Sequence, residues 1–234
     1  MTDRQNLILF AVVQEYIKNA QPVGSRLVFE KYNFNISPAT FRNEFAELEE
    51  SGYLYQPHTS SGRVPTDKGY RLFVNYLLEK RKAEKEKMNR VFSNILKAKK
   101  EQDEVFAELA RSISDISQNV AFSGHLGSKM FFKSGINEVM SQPEFNDASL
   151  RRDFGNIVDS FEDNLYKMVD KLPEDKFLIL IGQENPFKEA RGFSMMISKC
   201  NFSGHEGIVA ILGQKRMNYE RNINLINSLK SLLQ

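Results

Sequence analysis

The stretch SPATFRNEFAELEESGYL, Ser37 to Leu54, constrains this chain more than any other. Ser37-Pro38 is a helix start: the serine accepts the free amides of the first turn, and proline is tolerated at the first helical position. Phe41, Phe45 and Leu48 then recur at i, i+4 and i+7, and Gly52 ends the run. With those three side chains turned inward, a rotation of 100° per residue points Ala39 and Asn43 outward, with Thr40 and Arg42 on the flanks. The acids Glu44, Glu47, Glu49 and Glu50 come further along. A helix whose outer side begins with small, hydroxyl and amide side chains has the chemistry to meet base edges and phosphates in a major groove.

The flanking sequence gives that helix a setting. Thr2 and Gln5 stand in capping-box positions before Leu9, Val12, Val13, Tyr16 and Ile17 at helical spacing. Gln21–Gly24 breaks this first helix, and Ser25 is placed to cap a short second one ending near Asn33. After Gly52, Tyr53–Gln56 reads as a strand, Pro57–Arg63 as a turn-rich tip and Val64-Pro65 as the return strand. Thr66-Asp67 caps a further helix carrying Tyr70, Phe73, Val74, Leu77 and Leu78. The expected architecture is a winged helix-turn-helix over residues 1–75. No acid occurs between Ser51 and Thr66, where His58, Thr59, Ser60, Ser61 and Arg63 cluster with Gly62. The candidate DNA-contacting set is Ser25, Arg26, Ser37, Pro38, Ala39, Thr40, Arg42, Asn43, His58, Thr59, Ser60, Ser61, Gly62, Arg63 and Lys68. The bland alternative is a compact helical domain with a solvated hairpin. Residues 1–70 hold seven Lys/Arg against eight Asp/Glu, so DNA contact must come from local placement of charge.

Residues 76–122 read as a helical linker. Between Lys80 and Lys100 nine basic residues face two acids and few apolar positions, the pattern of a solvated helix. Residues 103–120 continue as helix. Residues 123–234 change rhythm: a short strand at Lys129–Phe132, a loop or helix start at Gln142–Asp147, and a helix from about 148 to 171. Strand-like runs KFLILIG, GFSMMISKCNF and GIVAILG follow, then an amphipathic helix on Ile223, Ile226, Leu229 and Leu233. Helices against a small, mainly antiparallel sheet make an α+β domain.

Composition excludes more than it selects. Of 234 residues 41% are hydrophobic and 26% charged, with a net charge of +2, as in ordinary globular proteins. One cysteine forbids an internal disulfide, and with three scattered histidines (His58, His125, His205) it leaves no zinc-type ligand spacing, so no metal or cofactor is expected. No apolar run reaches membrane-spanning length and the N-terminus lacks a leader pattern, which together favour a cytoplasmic protein without membrane partners. An enzyme would have to use Cys200 with His205 and Glu206; Cys200 in an alternating strand reads better as a small core residue, and no catalytic residues are assigned.

PVGS (Pro22–Ser25) followed by SPATFRNEFAELEESGYLYQPHTSSGRVPTDKGYR (Ser37–Arg71) resembles the family of heat-inducible transcription repressors called HrcA. LARSISDIS, QPEF, IGQEN (Ile181–Asn185), Phe193-Ser194 and LGQKRMNYER resemble the family's distal blocks. The resemblance implies a winged-helix domain that binds an inverted-repeat operator of chaperone operons as a homodimer, a GAF-like domain after it, and control through the chaperonin. It places Ser37, Pro38, Thr40, Arg42 and Asn43 on the groove helix and His58 to Arg63 on the wing. The chain departs from the family by a much shorter stretch between Ser123 and Gly135, which removes most of the early GAF-like part and the inserted dimerisation segment. Gln214-Lys215 also replaces a usual proline-threonine pair. A rival reading keeps the fold but makes the winged helix a protein-binding or sensor surface without operator specificity.

Two outcomes follow from the groove-helix reading. Arg42→Ala weakens operator binding in a duplex titration while the thermal melt is unchanged; unaltered binding removes Arg42 from the site. If Arg63 meets phosphate, Arg63→Ala weakens binding to every sequence and flattens its salt dependence, which titrations at two salt concentrations measure.

Overall fold

The computed structural model describes residues 1–80, 85–97, 101–127, 130–169, 172, 177–202 and 205–232. The chain divides into two compact units, Met1–Lys80 and Arg81–Gln234.

The first unit is assembled by local caps. Helix α1 (Asp3–Asn19) starts on a reciprocal box: Gln5 N donates to Thr2 Oγ1 at 3.2 Å, and Thr2 N donates to Gln5 Oε1 at 3.0 Å. Helix α2 (Ser25–Lys31) follows Gly24, which occupies the cap position, so Ser25 is the first helical residue and not the cap expected from sequence. Helix α3 (Pro38–Glu50) starts on Ser37, whose Oγ accepts from Thr40 N at 3.1 Å, and stops before Gly52, held at φ 73° where a side chain would be strained. Strands β1 (Leu54–Tyr55) and β2 (Val64–Pro65) pair antiparallel, and α4 (Asp67–Glu79) begins on Thr66, whose Oγ1 accepts from Gly69 N at 3.1 Å.

An unbroken run, Ile8 to Val13, is buried in α1, which makes this helix the unit's axis. Phe10 packs on Phe73 and Tyr76 of α4 at centroid distances of 5.5 and 4.5 Å. Behind α3, Phe41 meets Phe29 of α2 at 5.5 Å, Phe34 of the turn at 5.2 Å and Phe45 at 5.6 Å. Of these rings Phe10, Phe41, Phe45 and Phe73 are buried, and full burial of such a side chain contributes about 1.5–3 kcal/mol. The end of α2 is tied to α1 by Glu15, a buried carboxylate that accepts from Lys31 Nζ at 2.5 Å and Tyr32 Oη at 2.8 Å.

Among its described residues the second unit contains α5 (Lys85–Lys97), α6 (Gln102–Ser117), β3 (Val120–His125), β4 (Met130–Ser134), α7 (Ile136–Met140), α8 (Ala148–Val169), β5 (Leu178–Ile181), β6 (Phe193–Phe202), β7 (His205–Gln214) and α9 (Tyr219–Leu232). The strands form one antiparallel sheet in the order β4-β3-β7-β6-β5. One face carries Val120 and Phe122, Ile208, Ala210 and Leu212, and Phe193, Met195 and Ile197, packed with Phe154, Ile157, Phe161 and Leu165 of α8. Phe122 stacks on Phe161 at 3.5 Å. Helices α6 and α9 lie on the sheet's opposite face: a Cβ on Gly207 would meet the Phe106 ring of α6 at 2.8 Å, and Ser194 Oγ lies 2.7 Å from Tyr219 Oη. Two of the family-like blocks meet here, since Arg216 is hydrogen-bonded through Nη2 to Gln142 Oε1 at 2.9 Å and to Glu144 Oε2 at 3.0 Å.

Beyond the Ser25 cap, the structure differs from the sequence reading in two places in the second half of the chain and its approach. Residues 120–125 form a central strand whose first residues fall in the helix expected over 103–120 and the helical linker expected to 122; flanked by β4 and β7, Val120, Ala121, Phe122 and Ser123 are all buried, so no polar alternation marks it. The stretch 76–122, expected as a helical linker with a solvated part between Lys80 and Lys100, divides at Lys80. Phe92 and Ile95 of α5 and Val105, Phe106, Leu109 and Ile113 of α6 are buried in the second unit. Lys129, Lys176, Leu233, residues 170–171 and residues 81–84 and 98–100 of the basic stretch lie outside the described residues.

The Glu15 cluster gives the first unit a pH signature. Burial pushes the Glu15 carboxyl up, but hydrogen bonds from Lys31 and Tyr32 together with the nearby lysine charges outweigh it, and its pKa is lowered. Burial first, then the bond to Glu15, raises the Tyr32 phenol from 10.0 to about 12. The Glu15 contribution is therefore present above its unfolded pKa and lost as pH falls through the depressed folded value. The Tyr32 contribution is present below pH 10 and lost as pH rises toward about 12. Thermal melts followed through that alkaline window show a falling midpoint that Tyr32→Phe removes, while Glu15→Ala costs about 2 kcal/mol at neutral pH.

Candidate nucleic-acid interface

The interface is built on the face of α3 left over once its aromatic side is docked. Phe41, Phe45 and Leu48 are buried as the spacing predicts, and Ser37, Pro38, Ala39, Arg42, Asn43 and Ala46 are exposed, with Thr40 half-buried. Ser37 Oγ lies 2.9 Å from Thr40 Oγ1, so the first turn presents a paired hydroxyl system beside its amides. The Arg42 side chain makes no hydrogen bond or ion pair among the described residues.

The acids of α3 are not simply further along the helix, as the sequence reading had them. Glu44 is buried and accepts from Arg4 Nε at 2.7 Å, Glu47 accepts from Gln5 Nε2 at 2.8 Å, and Glu49 accepts from Arg63 Nε at 2.7 Å. Neighbouring elements of the same unit thus engage three of the four carboxylates. Helical spacing could not reveal these bonds, because the partners lie 40, 42 and 14 residues away.

The hairpin tip is organised from within. Gln56 Nε2 donates to the carbonyls of Thr59 at 2.9 Å and Ser61 at 2.8 Å. Ser61 Oγ accepts from His58 N at 3.0 Å and donates to His58 O at 2.7 Å. These bonds leave the His58, Thr59 and Ser60 side chains exposed. At its base Arg63 N donates to Val23 O at 2.8 Å and Val23 N donates to Arg63 O at 2.9 Å, so the hairpin lies on the segment before α2. Only glycine fits beside that bridge: a Cβ on Gly62 would sit 2.4 Å from the Val23 carbonyl carbon.

An open cleft of about 300 Å³ gathers these parts, lined by Gly24 and Ser25, by Arg42, Phe45 and Ala46, and by Ser60, Ser61, Gly62 and Arg63. Two candidate cations outside it are already engaged. Arg26 Nε bonds Glu30 at 2.6 Å on the exposed side of α2, and that bond and charge raise its pKa further. Lys68 Nζ donates to Ser51 O at 2.9 Å, at the end of α3, and stands 4.2 Å over the Tyr53 ring. Sequence reading missed Gly24, Gln56, Ala46 and Glu49. Ala46 follows from the same helical rotation as Asn43; the other three needed the hairpin's position.

Of the residues an enzyme would have to use, the His205 side chain lies outside the described residues. Cys200 pairs with Gly207 across β6 and β7, and burial, only partly opposed by Lys230, pushes its thiol up to about 12, so it is protonated at neutral pH. Glu206 is exposed opposite Asn201, and no group of His, Cys, Asp and Glu is placed to hold a metal among the described residues. No described helix is long and apolar enough to cross a membrane.

Residues 68–223 match the family described as HrcA protein C terminal domain. The heat-inducible transcription repressor HrcA of Thermodesulfovibrio yellowstonii is 26% identical over an alignment of 333 positions that covers 97% of this chain and 95% of the relative. That alignment is far longer than the 234-residue chain, so a sizeable stretch of the relative has no counterpart here. The protein of the same name from Carboxydothermus hydrogenoformans is 60% identical over 78 residues, 33% of this chain and 23% of the relative. A crystal structure of a hypothetical protein has the same fold, with a TM-score of 0.78 at 20% identity over 100% of this chain and 97% of the other. With a family match over two thirds of its length and a relative aligned nearly end to end, the chain belongs to the HrcA family of heat-inducible transcription repressors.

Proposed function

We propose that the first unit is a winged helix-turn-helix that binds duplex DNA as a sequence-specific repressor of chaperone operons. In this reading α2 and α3 are the helix-turn-helix, β1, β2 and the tip between them are the wing, and the N-terminal half of α3 enters the major groove. Ser37, Thr40, Arg42 and Asn43 are its base-edge and phosphate contacts, while His58, Thr59 and Ser60 reach the backbone from the wing. One observation carries the reading. An exposed half-helix with an uncommitted Arg42 lies next to an acid-free tip, while Glu44, Glu47 and Glu49 of the same helix are bonded within the unit. That is how a unit without net positive charge keeps one surface fit for a polyanion.

The second unit, a reduced GAF-like domain in this reading, serves dimerisation, since one winged helix covers a single half-site and an inverted repeat mirrors a two-fold dimer. Control through chaperonin availability and action in the cytoplasm follow from the family relation. The rival reading, a winged helix turned to protein binding, gains nothing from the sequestered acids.

The deciding measurement is a titration against three duplexes: the full inverted repeat, one half-site, and a scrambled control, each at two salt concentrations. Tight binding to the full repeat alone is expected. Equal, weak and salt-sensitive binding to all three would instead move the protein-binding reading to the front.

A further inference from the structure

Arg63 is the cation that the DNA reading places on the wing, yet its surroundings differ from those of Arg42. Its Nε donates to Glu49 Oε2 at 2.7 Å, its Nη1 lies 3.5 Å from the Ser61 carbonyl, and its side chain is 22% exposed against 32% for Glu49. Its backbone is bonded in both directions to Val23. Arg42, across the same cleft, is exposed with no such partner among the described residues.

We infer that Arg63 and Glu49 form a strut that positions the wing against the groove helix, and that Arg63 is a positioning residue and not a phosphate contact. The physical need is plain. Strands of two residues each have little stability of their own, so the angle between tip and α3 must be set by contacts outside the two-strand ladder. Three braces do this: Gly62 seated against Val23, the main-chain bridge of Arg63, and the Glu49–Arg63 pair, which alone among them joins the hairpin to α3 itself. Electrostatics agrees. An arginine beside its carboxylate forms a neutral pair, which displaces no condensed counterion when DNA arrives. The wing's DNA contacts then fall to the exposed His58, Thr59 and Ser60 side chains and the tip's backbone.

The inference rests on the DNA reading, and its test separates the two. The full-length chain, Glu49→Gln, Arg63→Gln and the double variant are titrated with the inverted-repeat duplex at several salt concentrations, with a thermal melt of each. A strut predicts that each single variant binds about fivefold more weakly, and the double variant no worse than either single. The slope of log affinity against log salt stays the same throughout. A phosphate contact predicts the opposite pattern: Glu49→Gln, which frees Arg63 and removes a negative charge, binds as tightly as the parent or tighter, and Arg63→Gln flattens the slope by about 1. Either of those results, or a single variant that binds like the parent, overturns the strut. A parent protein that binds none of the duplexes overturns the DNA reading itself.

Discussion

The aromatic seam behind α3 is the constraint on which the first unit depends. Phe41 alone touches a ring from α2 (Phe29), one from the turn (Phe34) and one from its own helix (Phe45). It therefore sets the angle between the two helices as well as anchoring one of them. A helix can offer one side to a partner only if the other is held firmly, because the gain from the partner must not be spent on reordering the scaffold. Three buried side chains at i, i+4 and i+7 supply that hold from the most local of signals, and the Ser37 cap fixes where the helix begins.

Charge is handled by placement rather than by amount. Residues 1–70 have one more acid than base, and a uniform spread would repel a polyanion. The two ion pairs and one amide hydrogen bond that prevent this are not large sources of stability, since partly exposed pairs contribute about 0–1 kcal/mol each. Their effect is directional. Arg4 draws Glu44 toward α1, Gln5 holds Glu47, and Arg63 holds Glu49, so the carboxylates with engaged partners are those nearest the N-terminal half of α3. The capping residue Gln5 thereby serves two purposes, closing the start of α1 with its Oε1 and restraining an acid of α3 with its Nε2.

What was legible in the sequence was what is decided within a few residues. The caps at Thr2, Ser37 and Thr66, the stop at Gly52 and the buried face of α3 all depend on spacing of four or fewer positions or on helical repetition, and all stand where spacing put them. The capping role given to Ser25 did not, because Gly24 adopts the extended backbone of a cap without needing a side chain. Strand β3 was lost for a different reason. A strand enclosed by neighbours on both sides and helices on both faces has no polar side to alternate with, and VAFSGH carries small residues that match no simple period. Helix α5 was misjudged because two buried residues, Phe92 and Ile95, are enough to seat it when α9 offers the complementary face. At the interface the outward residues of α3 were legible and the partners of its acids were not, since a partner 40 residues away is a product of the fold.

If the first unit binds DNA as proposed, the second unit has a physical part to play in it. A unit with no net positive charge has weak non-specific attraction to DNA, so its discrimination must rest on a few base-edge contacts of about 1–3 kcal/mol each. One groove helix with Arg42 and Asn43 exposed offers few of these. Joining two copies turns the second half-site encounter into an intramolecular event, which raises affinity for a repeat without adding a contact and leaves single sites weakly bound. On that reading, neutrality of the first unit and dependence on a second copy would be two aspects of one arrangement. A basic head would hold DNA of any sequence as a monomer, whereas on the proposed reading a neutral one would gain affinity only where two half-sites stand at the spacing a dimer imposes.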